Sequence, residues 1–220
     1  MIAIDGPVAA GKTAVGRELA RTLGFGYLDT GIMYRAITWL ALKNGISIDD
    51  PGSLGELARA NPLEMLADDS SRVSVAGHTL GPELRSPSVD SSVSAVSAAS
   101  PVRKELVTQQ RQTATKGKIV MIGRDIGTVV LPGADLKVYL TASPENRAQR
   151  RWREMRDRGE EVELHTVLSE TLARDQKDTS RDDSPLKPAD DAWELNTDGL
   201  DVQQVVRKII DRAKNTGGLE

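Results

Sequence analysis

A glycine-rich segment near the start of the chain has residue types and spacing suited to binding phosphates. Residues 6–13 read GPVAAGKT and match G-x-x-x-x-G-K-[ST] at every fixed position. Gly6 and Gly11 let the backbone turn so that its N–H groups face phosphate oxygens. Lys12 can reach the β- and γ-phosphates, and the Thr13 hydroxyl can ligate Mg²⁺. The predicted nucleotide-binding residues are Gly6, Pro7, Val8, Ala9, Ala10, Gly11, Lys12 and Thr13, with Thr13 as the metal ligand.

The surroundings of this loop favour ATP as the nucleotide. An apolar strand, Ile2 to Ile4, precedes the loop, and Lys12 to Leu23 has the apolar spacing of a helix that supplies its N-terminus to the phosphates. A GTPase would carry a base-reading N-K-x-D, which the chain lacks. A motor ATPase would place an acid directly after an apolar strand, whereas Ile119 to Ile122 leads into Gly123.

Two arginines follow predicted strands at positions where a second phosphate could bind. Arg35 lies just after the strand at Tyr27 and Leu28, and Arg124 follows the strand Ile119 to Ile122. Ligands bind beyond the carboxyl ends of parallel strands, and the guanidinium fork suits a phosphate monoester. The alternative for each arginine is a surface salt bridge.

Further arginines occur in the second half of the chain. Arg174, Asp178 and Arg181 would share one face if they are helical, although a solvated helix end explains the same pattern. A solvated helix face explains most of a later arginine-rich run, and a lid that closes over ATP explains the rest. The run comprises Arg147, Arg150, Arg151, Arg153, Arg156 and Arg158. Together, the arginines and the loop predict phosphoryl transfer between ATP and a phosphorylated acceptor.

Alternating buried strands and helices predict an α/β fold with a parallel sheet. The pattern places helices at Met33 to Lys43, Glu145 to Arg158 and Leu164 to Asp175, and a last strand at Ala192 to Leu195. Further predicted features are an insertion from about Asp49 to Pro87 with a strand at Arg72 to Ala76, a short helix through Val89, Val93 and Val96, and a helix capped by Ser100 with Pro101 as its first residue.

Composition excludes several other classes of protein. The net charge is −3 and aromatic residues make up 3%, which argues against a nucleic-acid partner. Cysteine is absent and there are two histidines, so disulfides, thiolate chemistry and histidine-rich metal clusters are not expected. No stretch approaches the about 18 apolar residues of a membrane helix, and we therefore expect a cytoplasmic enzyme without a membrane partner.

Several stretches resemble bacterial cytidylate kinases. They are IAIDGPVAAGKT (2–13), LDTGIMYRA (28–36), ELRSPSVDSSVSAVSAASPVRKELVTQQR (83–111), GRDIGTVVLPGADLKVYLTAS (123–143) and RDQKDTSRDDSPLKPADDAWELNTDGLDVQQV (174–205). The resemblance implies one adenylate-kinase-like domain over 1–220, with a monophosphate-binding insertion at about 35–100 and a short lid at about 150–165. It implies that the parallel sheet is the centre of a three-layer P-loop kinase core. It also implies a monomer that uses ATP and Mg²⁺ to phosphorylate CMP and dCMP.

The resemblance also implies roles for individual residues. Arg35, Arg124 and Arg181 look like the clamp on the acceptor phosphate, and they join Lys12 as catalytic residues. The implied cytosine contacts are Ser94, Arg103 and Asp125, and the implied sugar contacts are Arg174 and Asp178. Thr30 and Tyr34 complete the implied substrate-binding residues. A carboxylate suits cytosine because it accepts from the amino group of that base.

The chain departs from the family pattern at two positions. Ile122 replaces an acid, so any Mg²⁺ role of that acid is lost or moved, with Asp5 as a candidate. Ala9 replaces a glycine of the loop, a change that most turns tolerate. The remaining alternatives are a P-loop kinase of another nucleoside monophosphate or small metabolite, and a non-catalytic nucleotide-binding switch.

Overall fold

The computed structural model describes residues 1–65 and 72–215, which form two compact units. Within the described residues, the first, here called the sheet unit, comprises residues 1–27 and 118–215, and the second, the helical unit, comprises residues 28–65 and 72–117. The strands are β1 (Ile2–Asp5), β2 (Gly26–Asp29), β3 (Glu64–Met65), β4 (Val73–Val75), β5 (His78–Leu80), β6 (Ile119–Ile122), β7 (Leu136–Thr141) and β8 (Trp193–Asn196). The helices are α1 (Lys12–Leu23), α2 (Thr30–Lys43), α3 (Pro51–Ala60), α4 (Pro87–Ala98), α5 (Ser100–Ala114), α6 (Pro144–Asp157), α7 (Leu164–Ser180) and α8 (Val202–Asn215).

A five-stranded sheet in the order β2-β6-β1-β7-β8 is the frame of the sheet unit. Strand β1 pairs in parallel with β6 and β7, so that Ile4 lies opposite Ile122 on one side and Val138 on the other. Strands that are buried on both faces read as continuous apolar runs, which is why β1 and β6 carry almost no polar residues. The matched register brings the segments that follow β1 and β6 to the same edge of the sheet.

The core of the sheet unit is packed by the apolar faces of helices α1 and α8. Val15 and Leu19 of α1 and Val206 and Ile209 of α8 join the strand residues in one buried cluster. The predicted α/β architecture, a parallel central sheet with flanking helices, is confirmed.

Among the described residues, no helix is long and apolar enough to cross a membrane.

The helical unit combines α2 to α5 with a small antiparallel sheet, β3-β4-β5. Helix α3 packs closely on α5 at Gly55. A Cβ added at Gly55 would lie 2.4 Å from the Pro101 Cβ, so a residue without a side chain is needed there. Strand β4 confirms the strand predicted at Arg72 to Ala76, and α4 confirms the short helix predicted in the serine-rich stretch. The predictions of an insertion at 35–100 and a lid at 150–165 stay predictions.

Several predicted boundaries were wrong, and local hydrogen bonds explain two of them. Helix α2 begins at Thr30 rather than Met33, because the Asp29 side chain accepts from the Gly31 N–H and caps it. Helix α3 was missed in the proline- and glycine-containing stretch, where Asp50 accepts from the N–H groups of Gly52 and Ser53.

Two other helices differ at one end. Helix α7 continues to Ser180 rather than ending at Asp175, because charged residues without an apolar period gave no sign of its last turns. Helix α5 begins at Ser100, with Ala99 at the capping position and Pro101 second in the helix. Pro101 still lies in the first turn, where its missing N–H has no helical partner to lose.

Candidate active site

The phosphate-binding loop connects β1 to α1, and three of its residues have positive φ angles. They are Gly6 at 146°, Ala9 at 57° and Gly11 at 93°. A Cβ at Gly6 would lie 2.2 Å from the Leu140 carbonyl oxygen, so only glycine fits there. Ala9 has the left-handed conformation at the position where the family pattern has glycine. The turn accommodates Ala9, as expected, but at a cost in backbone strain, because a Cβ is disfavoured at this φ.

Lys12 is buried at the base of this loop, as the first residue of α1. Its Nζ donates to the carbonyl oxygens of Gly6 and Pro7, at 2.7 and 2.6 Å. The ammonium group thus lies against the loop that the sequence motif assigns to phosphates, at a helix N-terminus that also favours anions.

Asp5 is a buried carboxylate at the end of β1, directly before the loop. Its Oδ1 accepts from the Ile126 N–H at 2.8 Å and its Oδ2 from the Gly127 N–H at 2.7 Å. Burial raises the pKa of Asp5 to about 6, against the lowering effect of these two N–H groups. Asp5 therefore fixes the backbone that follows Asp125.

Asp125 begins a single turn of π-helix, Ile126–Val130, and its side chain is buried. The structure shows no capping hydrogen bond from this side chain. The Asp125 side chain is therefore not the cap of this turn, and its role in binding a substrate stays a prediction. Ile122 is packed in the core, where a Cβ added at Gly16 would come within 2.7 Å of it.

Arg124 and three residues of the α7 region form a charged cluster in the sheet unit. The Arg124 Nε donates to Asp178 Oδ2 at 2.9 Å. Burial alone would raise the pKa of Asp178, but the charge and hydrogen bond of Arg124, together with Arg174 and Arg181, hold it below its usual value. Three guanidinium groups around one carboxylate give these four side chains a net positive charge, as an anion-binding cluster requires.

Arg181 differs from the prediction in one respect. It lies just beyond α7 in extended backbone, so it does not share a helix face with Arg174 and Asp178. Its Nε donates to the Ser184 carbonyl oxygen, and the Leu186 N–H donates to the Asp178 carbonyl oxygen. The chain after α7 thus folds back toward Asp178, which brings Arg181 into the cluster without helical spacing.

In the helical unit, two of the predicted site residues are buried arginines with defined partners. Arg35 donates from Nη1 to the Leu84 carbonyl oxygen at 2.8 Å and forms an ion pair with Asp90 at 2.6 Å. Arg103 donates to the Ser97 carbonyl oxygen, and its guanidinium lies 5.8 Å from the centre of the Tyr34 ring. Thr30 is buried at the start of α2, and Ser94 is partly exposed on α4. The structure thus brings Tyr34 and Arg103 together within this unit.

The sequence-based interpretation missed residues that support the phosphate-binding loop. Arg147 was assigned to a solvated helix face, but it is 4% exposed and forms an ion pair with Asp175. Arg150 donates to both the hydroxyl and the carbonyl of Thr197. The solvated-face assignment was wrong for Arg147 because an arginine on α6 can be buried when a carboxylate on another helix, here Asp175, supplies its counter-charge.

The residues near the loop are compatible with Mg²⁺ that arrives with ATP. In residues 1–65 and 72–215, no group of three or more His, Cys, Asp or Glu side chains could hold a metal by itself. Mg²⁺ commonly binds through few protein ligands plus substrate phosphates, and Thr13 lies in the first turn of α1, directly after the loop. This donor set fits a metal bound with its nucleotide.

Comparison with known proteins assigns the chain to a family. The family model described as cytidylate kinase matches residues 2–215, which is nearly the whole chain. The chain belongs to the cytidylate kinase family. This membership confirms the resemblance found in the sequence and places the protein among the nucleoside monophosphate kinases.

Individual relatives agree with the family model. A cytidylate kinase of Streptococcus suis (strain 05ZYH33) is 46% identical over 215 residues, which cover 97% of this chain and 96% of the relative. A cytidylate kinase of Carboxydothermus hydrogenoformans is 44% identical over 96% of this chain and 95% of its own length. A solved structure of an uncharacterized protein from Eubacterium ventriosum has a TM-score of 0.50 at 13% identity and covers 97% of both chains, which shows a likeness of fold alone.

Proposed function

We propose that the protein transfers the γ-phosphoryl group of ATP to CMP and dCMP, giving CDP or dCDP and ADP. The observation that carries this proposal is the cytidylate kinase match over residues 2–215. The geometry of the sheet unit supports it, because a phosphate-binding loop and a cluster of arginines occur in one compact unit. A phosphoryl donor and a phosphorylated acceptor each need such a group.

On the donor side, residues 6–13 are proposed to bind the phosphates of ATP. Their N–H groups and the Lys12 ammonium would stabilise charge on the transferred group, and the Thr13 hydroxyl would hold Mg²⁺. The metal, when bound, neutralises charge on the β- and γ-phosphates. The transfer is direct and in line, because positioning and charge neutralisation are sufficient without a covalent intermediate.

On the acceptor side, Arg35, Arg124 and Arg181 are proposed to bind the phosphate of CMP. Arg174 and Asp178 would contact the sugar. Ser94, Arg103 and Asp125 are proposed to contact cytosine, and Thr30 and Tyr34 are proposed as further substrate-binding residues. The buried Asp125 carboxylate supports its role, because it can accept from the amino group of cytosine and not from the carbonyl of uracil. A monomer in the cytoplasm, with no nucleic-acid partner, completes the proposal.

The experiment is an ADP-release assay with ATP and Mg²⁺ in which CMP, dCMP, UMP, AMP and GMP are compared as acceptors. We expect CMP and dCMP to give the highest kcat/KM. Lys12→Ala provides the control, because loss of one preorganised charge should lower kcat by about 10²-fold or more. Efficient turnover of a different acceptor, with CMP inert, would contradict the proposed substrate. Equal turnover by the Lys12→Ala protein would contradict the assignment of the loop.

A further inference from the structure

Arg147 is a buried arginine of α6 that contacts the phosphate-binding loop from outside it. Its Nη1 lies 3.3 Å from the Val8 carbonyl oxygen and 2.7 Å from Asp175 Oδ2. Its Nε donates to the Ala142 carbonyl oxygen at 3.0 Å. One guanidinium group therefore joins the loop, the segment after β7 and helix α7. A planar, always charged donor is suited to such a junction, because its donors lie in a fixed plane.

The loop that Arg147 contacts needs support from its surroundings. Ala9, the residue after Val8, has a φ of 57°, a conformation that an L-residue keeps only when neighbouring groups impose it. Arg147 contacts the carbonyl on one side of Ala9. On the other side, the Thr197 hydroxyl lies 3.4 Å from the Ala10 carbonyl oxygen, and Arg150 donates to Thr197. Side chains outside the loop thus contact the carbonyl groups on both sides of its strained residue.

Asp175 holds Arg147 in this position. A buried guanidinium without a counter-charge is costly, and the Asp175 carboxylate at 2.7 Å provides the charge. Asp175 belongs to α7, three residues before Asp178, so the two carboxylates serve different arginines. Asp178 accepts from Arg124 in the anion-binding cluster, whereas Asp175 pairs with Arg147 next to the loop.

We propose that Arg147 is a positioning residue for the phosphate donor, oriented by Asp175. It fixes the Val8 carbonyl and thereby the backbone N–H groups that follow, so that the loop is preorganised for the phosphates of ATP. Arg147 acts through the loop and does not itself contact the nucleotide. The inference rests on the proposed function only for the identity of ATP as the donor.

The test measures substrate binding rather than turnover. The Kd of ATP with Mg²⁺ and the Kd of CMP are determined separately by calorimetry for Arg147→Gln, Arg147→Lys, Asp175→Asn and the double variant Arg147→Gln/Asp175→Asn. Arg207→Gln is the matched control, since Arg207 is exposed on α8 of the same unit. Thermal unfolding of each variant checks that it is folded.

We expect Arg147→Gln to raise the ATP Kd by about 10- to 100-fold, the effect of losing hydrogen bonds from a charged group. Asp175→Asn should raise it in the same direction, and the double variant should be no weaker than Arg147→Gln alone. Arg147→Lys keeps the charge but not the fork, so its Kd should lie between those of the wild type and Arg147→Gln. The CMP Kd should stay within about twofold in Arg147→Gln and Arg147→Lys, as for a distant independent site. The variants that carry Asp175→Asn are judged on the ATP Kd alone, because Asp175 adjoins Arg174, a residue proposed to contact the sugar of CMP.

Two results would overturn the proposal. Normal ATP binding with a lower unfolding temperature in both single variants would make the pair merely structural. Weaker ATP binding in Arg147→Gln but not in Asp175→Asn would mean that Arg147 acts without the carboxylate, as a group that contacts the nucleotide directly. If Arg147→Gln does not fold, Asp175→Asn decides alone, because its partly exposed side chain tolerates an amide. Failure of CMP phosphorylation would contradict the proposed function and leave this test unaffected.

Discussion

Replacing Ala9 with glycine should stabilise the protein, although glycine usually destabilises. Ala9 lies in the phosphate-binding loop with a φ of 57° and a partly exposed side chain. The Cβ of an L-residue approaches the following carbonyl oxygen in this left-handed conformation, and removing that Cβ removes the strain. The substitution deletes one methyl group and leaves the surrounding core unchanged.

Two opposing effects set the size of the gain. Relief of the left-handed conformation is worth about 1–2 kcal/mol. Glycine also increases the conformational entropy of the unfolded chain, which costs about 0.4–1 kcal/mol. The difference is a net stabilisation of about 1 kcal/mol, and for a chain of this size that corresponds to about 2–4 °C in Tm.

The assay is thermal and urea unfolding of Ala9→Gly beside the wild type, with Ala173→Gly as the matched control. Ala173 is exposed in the interior of α7, where the same substitution should cost about 1 kcal/mol. We therefore expect shifts of opposite sign from an identical chemical change. A destabilised Ala9→Gly protein, similar to Ala173→Gly, would refute the argument that the loop backbone is strained at this residue.

Three further predictions concern the charged groups of the site. Arg124→Ala should weaken the binding of CMP more than that of ATP, by about 2–5 kcal/mol, because it removes one partner of the partly buried pair with Asp178. Steady-state kinetics with each substrate varied checks this, and a rise of the ATP KM alone would mean that Arg124 serves the ATP phosphates instead. Asp125→Asn should lower the ratio of kcat/KM for CMP to kcat/KM for UMP. A site that leaves a buried polar group unpaired with the wrong substrate can discriminate by up to about 10⁴-fold. An unchanged ratio would show that Asp125 does not take part in base recognition. The pKa of Asp5 is raised to about 6 by burial, with Lys12 and Asp125 as its charged neighbours, so the folded state binds the proton more tightly than the unfolded state. The free energy of unfolding of the wild type minus that of Asp5→Asn should therefore fall as the pH rises from about 4 to about 6, by at most about 1.4 kcal/mol per pH unit, and stay constant above about pH 6. Urea unfolding of both proteins at several pH values checks this, and a difference that does not change with pH would contradict the raised pKa.

The fold could be predicted where the sequence pattern was strong. The apolar runs at Ile2 to Ile4 and Ile119 to Ile122 became central strands, because a strand covered on both faces must be apolar throughout. Weakly patterned segments were harder to interpret. Helix α3 depends on the cap at Asp50, and the last turns of α7 carry polar residues that fit a helix or a loop equally well.

The candidate site could be predicted in its residue types but not in its partners. The motif predicted Lys12 and the loop, the positions after strands predicted Arg35 and Arg124, and the resemblance to the family added a role for each arginine. Neither indicated that Asp178 pairs with Arg124, or that Asp5 accepts from two N–H groups beyond Asp125. These partners are 54 and 121 residues apart in the chain, and no local spacing rule connects them.

By itself, the sequence predicted the chemistry of this protein from a loop whose glycines and lysine suit phosphates, and from arginines whose guanidinium groups suit a second phosphate. The tertiary structure decided which charges are buried and what each one contacts. Arg147 and Arg153 belong to the same arginine-rich run, yet Arg147 is buried against Asp175 and Arg153 is exposed. The difference arises because a charged side chain can be buried only where another element supplies its counter-charge, and only the packing of α6 on α7 provides that.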